Sequence, residues 1–77
     1  MEIYVIAGTN QQAENFAKSW GLRKQDYVYI NRPERLFGIE DKFKYVKIGT
    51  YYTNKNLQNI NKEIRFRKGI EITAKEN

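Results

Sequence analysis

Three short stretches of this chain carry residue types suited to holding a small anionic ligand: Gly8, Thr9, Asn10 and Gln11; Asn31 and Arg32; and Gly49, Thr50 and Tyr51. Glycine lets a ligand approach the backbone. Hydroxyls and amides supply uncharged hydrogen bonds, and an arginine fork can grip a phosphate or carboxylate at two oxygens. A tyrosine at position 51 offers a flat face to a base. This is equipment for binding rather than for reaction. AGTNQQA lacks the lysine of GxxxxGK[ST] and the spaced glycines of GxGxxG, so no nucleotide-hydrolysing or dinucleotide signature is present. The same residue types are also what turns and helix caps require, and their identity alone does not separate the two uses.

A second set is cationic: Lys55, Lys62, Arg65, Arg67 and Lys68. Side chains of this kind neutralise phosphates and give salt-dependent, sequence-blind affinity for nucleic acid. They also suit a solvated helix face whose last turn favours positive charge. Phe66, between the arginines, reads equally as a packing contact or a stacking residue.

Catalysis is poorly served. The chain has no cysteine and no histidine, which excludes disulfides, thiol nucleophiles, imidazole bases and zinc sites built on those ligands. Its carboxylates Glu14, Asp26, Glu34, Glu40 and Asp41 are scattered, and none falls at the carboxyl end of an expected strand, where an acid/base or metal-binding pair would be placed. The expectation is a noncatalytic protein without metal or cofactor.

These residues must be positioned by a small frame. A chain of 77 residues makes a single domain, 1–77, with a core worth roughly 3–5 kcal/mol unless oligomerisation adds to it. Fourteen Lys and Arg against nine Asp and Glu give a net charge of +5, which favours an anionic partner but also serves solubility. MEIYVIAG has an acid at Glu2 and an apolar stretch far too short for a signal-peptide core or a membrane span, so the expected location is cytoplasmic.

Ile3 to Ala7 is a near-continuous apolar run, as in a strand covered on both faces. Thr9 or Asn10 can cap a following helix whose apolar stripe is Ala13, Phe16, Ala17 and Trp20, with Gly21 and Leu22 as its C-terminal cap. YVYI, residues 27–30, reads as a second strand, and Asn31-Arg32-Pro33-Glu34 as the start of a short helix bearing Leu36 and Phe37 and ending at Gly38. IEDKFK, residues 39–44, reads as a surface loop. Tyr45 to Ile48 is a third strand, flanked by lysines that suit a sheet edge. Thr53-Asn54 can cap a last helix carrying Leu57, Ile60 and Ile64. Residues from about 70 to 77 are either a small extra strand or a flexible tail, and the tail is the reading adopted.

The order βαβαβα predicts an α/β domain with a three-stranded parallel sheet, order 2-1-3, and helices on both faces. IAGTNQQAENF and KIGTYYTNKNL echo each other, apolar then Gly-Thr then helix. In a 2-1-3 sheet these two turns face the crevice beyond the carboxyl ends of strands one and three, where open α/β sheets hold ligands.

The pattern YVIAG-x4-AE-x2-A-x3-GL, then YVYI-x2-PE-x-LFGI, then VKIGTYY and an apolar-striped helix resembles small uncharacterised bacteriophage-encoded proteins with miniature Rossmann-like domains, over Tyr4 to about Ile64. The resemblance implies a protein of the host cytoplasm that acts by binding, for example by sequestering a nucleotide signal or blocking a host factor. It assigns no catalytic residues, and the fold itself fixes no function. The leading expectation is therefore a binding protein that holds a nucleotide-like ligand at the carboxyl ends of strands one and three. The alternative is a nucleic-acid or host-protein module that uses the basic last helix. The uncharged YVYI strand is the candidate for pairing in a homodimer.

Overall fold

A computed structural model of the chain describes residues 2–72. Four parallel strands form one sheet in the order β2-β1-β3-β4, where β1 is Ile3–Ile6, β2 Tyr27–Ile30, β3 Lys44–Lys47 and β4 Ile70–Glu71. Two α-helices, α1 (Asn10–Ser19) and α2 (Leu57–Phe66), lie on opposite faces. The parallel α/β architecture and the 2-1-3 order match the sequence expectation, and β4 extends the sheet from three strands to four.

Strand alternation decides which side chains meet which helix. Val5, Ala7 and Val46 form one core layer with Ala13 and Phe16 of α1. Ile6, Ile30 and Tyr45 form the other with Ile60 and Ile64 of α2, closed at its margin by Leu36 and Phe43. Because β1 is central and contributes to both layers, a continuous apolar run is what its position demands. Thr9 caps α1 by accepting the Gln12 N–H at 3.2 Å. At its other end the Leu22 N–H returns to the Ala17 carbonyl at 2.8 Å, the expected cap.

Several expectations are corrected. The segment after β2 is a single 3-10 turn, Pro33–Leu36, because only Leu36 has core to reach; Phe37 points to solvent. The 39–44 stretch is not all surface loop: Phe43 is buried against Tyr4 and Tyr45, and Lys44 opens β3. Lys44 does not mark an edge, since β4 pairs with β3 there; Lys47 lies past the paired residues. Finally, Ile70 and Glu71, assigned to a flexible tail, form β4: the Ile70 and Ile72 N–H groups donate to the Phe43 and Tyr45 carbonyls, each at 2.8 Å. The remainder of that tail, 73–77, lies outside the described residues. A 3-10 turn, Tyr51–Thr53, precedes α2, whose N-cap is Asn56 rather than Thr53 or Asn54.

Candidate functional site

The carboxyl ends of β1 and β3 leave the sheet side by side, with the Ile48 N–H donating to the Ile6 carbonyl at 2.9 Å. This brings the two Gly-Thr turns into contact. A Cβ on Gly8 would stand 2.6 Å from the Thr50 carbonyl oxygen, so the turns can meet only because residue 8 has no side chain. Gly49 makes its turn at φ +56°.

The notch between them is filled from within. Gln12, at the third position of α1, places its side-chain oxygen where it accepts both the Gly8 N–H (3.0 Å) and the Thr50 N–H (3.1 Å), while its amide nitrogen donates to the Thr50 hydroxyl at 3.0 Å. The residue that does this is Gln12 and not Gln11 of the expected set. The available signal was Thr9-x-x-Gln12, a capping-box spacing; here the glutamine reaches one residue further back, to the N–H of Gly8. Asn10 and Gln11 instead bond along the outside of α1, to Glu14 (3.1 Å) and Asn15 (3.0 Å).

The other members of the expected cluster are only partly drawn in. The Asn31 carbonyl accepts the side-chain amides of Asn54 (3.4 Å) and Asn56 (3.0 Å), which ties the loop after β3 to the end of β2. Tyr51 is half-buried, edge-on to Tyr52 with centroids 5.6 Å apart, with the Lys47 ammonium 5.8 Å from its ring. Arg32 is exposed, and no hydrogen bond among the described residues links its guanidinium to the turns. The structure thus unites Gly8, Thr9, Gly49 and Thr50 through Gln12 and leaves Arg32 apart.

The cationic set divides differently. Arg67 is an internal fastening: its guanidinium pairs with Glu63 at 3.3 Å and donates to the Ile39 carbonyl at 3.2 Å. Lys55, Lys62, Arg65 and Lys68 are exposed. Asn56 reaches Asn31 and Arg67 reaches Ile39, so the 31–39 segment runs alongside α2 from its start to its end. At 100° per residue, Asn59 and Phe66 flank that segment and Lys62 stands next to them, toward solvent. Phe66 is 76% exposed, its ring 5.8 Å from the Arg67 guanidinium carbon, and Phe37 on the neighbouring segment is 57% exposed. Two ion pairs occur among the described residues, Arg23–Asp26 and Arg67–Glu63. Arg32, Arg35, Lys62 and Arg65 therefore face solvent without a carboxylate partner there. Sequence reasoning named the cations of α2 and, separately, Arg35 as a phosphate-holding candidate and Phe37 as apolar, but did not join these two to α2, because no periodicity connects them to a helix that begins twenty residues later.

A concavity of about 490 Å³ opens at the opposite, amino end of the sheet, against Tyr4 and Phe43. Glu2, Glu40 and Asp41 line it together with Lys42 and Lys44, a mixed set. Burial, then the charges of Glu2 and Glu40, push the Tyr4 phenol above its ordinary pKa. No group of three or more Asp or Glu among the described residues is placed to hold a metal ion.

No protein-family model matches the chain, and no curated protein or solved structure matches it either. No helix among the described residues is long and apolar enough to cross a membrane.

Proposed function

We propose that the protein is a noncatalytic binding module that takes single-stranded nucleic acid on the surface shared by α2 and the 31–39 segment. The observation that carries this reading is Phe66, largely exposed on a helix face and accompanied by the exposed Phe37 and by Arg32, Arg35 and Lys62 without ion-pair partners among the described residues. Cations of this kind track a phosphate backbone and aromatic rings stack on unpaired bases, a combination that tolerates any sequence. Binding of a mixed-sequence oligonucleotide, followed by fluorescence anisotropy at several salt concentrations, tests it. Phe66→Ala should weaken binding by about 1–2 kcal/mol with the salt slope unchanged. Lys62→Ala should reduce the slope by about one. Absence of binding at low salt removes the proposal.

A second reading keeps the sequence-based expectation of a nucleotide-like ligand at the carboxyl ends of β1 and β3, with sequestration of a signal as its use. The convergence of the Gly8 and Thr50 N–H groups on one oxygen favours it, since two such donors also suit a phosphate or carboxylate oxygen. Here the ligand has to displace the Gln12 amide. Thermal stabilisation by millimolar nucleotide, increased in Gln12→Ala, is the expected result.

A further inference from the structure

The cavity at the amino end of the sheet begins where the 31–39 segment stops. Ile39 lines it, and the Ile39 carbonyl is the group that accepts the Arg67 guanidinium at 3.2 Å. Lys42, also in the lining, donates its N–H to the Arg67 carbonyl at 2.8 Å. Gly38 continues the wall directly from Phe37. The end of α2 that carries Phe66 thus abuts the cavity lining. A volume of about 490 Å³ lies within the ~300–1,000 Å³ of small-molecule sites.

The composition of the lining restricts what fits. It has no side-chain amide and no aliphatic hydroxyl; its polar groups are the carboxylates of Glu2, Glu40 and Asp41, the ammonium groups of Lys42 and Lys44, and the Tyr4 phenol. Among the described residues none of these charges is in an ion pair, although they share one cavity. Burial, then the charges of Glu2 and Glu40, raise the Tyr4 pKa, so both carboxylates stand near a phenol that keeps its proton at neutral pH. Phe43 is buried beside it, the two rings edge-on with centroids 5.4 Å apart.

Carboxylates next to a phosphate-binding surface repel the strand unless they face a donor on it. A base can supply that donor. Among the four common bases, guanine presents two adjacent donors on its pairing edge, N1–H and the N2 amino group, which match the two oxygens of a carboxylate. Adenine and cytosine set an amino group beside a ring lone pair, and thymine sets its N–H between two carbonyl oxygens. Each of these turns a lone pair toward the second carboxylate oxygen. We infer that the cavity takes one guanine base from the strand bound on α2, with the Glu40 carboxylate, which follows Ile39 directly, holding N1–H and the N2 amino group while Lys42 and Lys44 meet the neighbouring phosphates. The inference rests on the single-strand reading for how the base arrives, and it adds a preference to a face that is by itself sequence-blind.

The test compares, by fluorescence anisotropy on the full chain, a thymidine strand of about nine nucleotides with the same strand carrying guanine or hypoxanthine at its centre. The guanine strand should bind about tenfold more tightly than the thymidine strand. Hypoxanthine lacks the N2 amino group and should lose most of that gain. Glu40→Gln should abolish the difference while both strands still bind; the ratio is the readout, because removing a carboxylate strengthens binding of every strand alike. Millimolar guanosine monophosphate, followed by amide chemical shifts, probes the cavity without the α2 face. It should move Tyr4, Glu40 and Phe43, and do so equally in Phe66→Ala. Strand binding with no guanine preference, a preference that survives Glu40→Gln, or no shift at those three residues would each overturn the inference. Shifts there in a chain that binds no strand would remove the α2 reading and leave the guanine assignment of the cavity standing.

Discussion

The carboxyl end of the sheet and the outer face of α2 hold their polar side chains in opposite states. At the sheet end, Gly8, Thr50 and Gln12 satisfy one another, and Asn31 is closed off by Asn54 and Asn56. On the α2 face, among the described residues, the one committed cation is Arg67, bound to Glu63 and Ile39, and the other cations are exposed near two exposed phenylalanines. Residue types that look like a ligand site can be consumed in holding two turns together. Phe66 has the Arg67 guanidinium 5.8 Å from its ring and leaves most of its surface to solvent beside cations without ion-pair partners among the described residues, which is why it carries the functional reading.

The sharpest way to break this contrast is to disturb the contact between the turns. Gly8→Ala drives a methyl group into the Thr50 carbonyl and should cost about 3 kcal/mol, comparable to the whole stability of a domain this small. Urea unfolding measures it, and a near-normal transition would mean that the turns do not touch. Gln12→Ala strips the Gly8 and Thr50 N–H groups of their acceptor and should cost about 2 kcal/mol. Gln12→Glu restores an acceptor, near the positive end of α1, and should melt close to wild type. Equal losses in both variants would show that the glutamine oxygen is not what joins the turns.

Phe66→Ala should behave in the opposite manner. Stability should stay within about 0.5 kcal/mol of wild type while oligonucleotide affinity falls roughly tenfold. A large loss of stability would move Phe66 from a binding surface into the core.

Much of the frame was legible because periodicity is a direct consequence of burial. The central run Ile3–Ala7 and the stripe Ala13, Phe16, Ala17 announce a strand with two covered faces and the helix that covers one of them. β4 was not legible as a certainty, since Ile70 and Glu71 hold their place through long-range bonds to Phe43 and Tyr45 that no local pattern encodes. The convergence of the Gly-Thr turns followed correctly from strand order. What filled their notch did not, because the candidate set stopped one residue short of Gln12. The packing of the 31–39 segment alongside α2 joins two segments distant in sequence, and neither carries a signal of the other.

The smallest expected effect concerns acid. The Arg23 N–H (3.0 Å) and guanidinium (3.2 Å) hold the Asp26 carboxyl below its ordinary pKa. A depressed carboxylate contributes stability that is present above its unfolded value and lost as pH falls through the folded one. Asp26→Asn should therefore melt slightly below wild type at neutral pH, and the two should converge in acid. Parallel curves over the whole range would mean that the pair contributes nothing.

The central claim, that the working surface is the α2 face and not the sheet end, is tested most directly by mapping amide chemical-shift changes as a short single-stranded oligonucleotide is titrated into the isotope-labelled chain. The account predicts changes at Arg32, Arg35, Phe37, Lys62 and Phe66, with Gly8, Gln12 and Thr50 unmoved. Changes confined to Gly8–Gln12 and Gly49–Tyr51, or none at low salt, would contradict it.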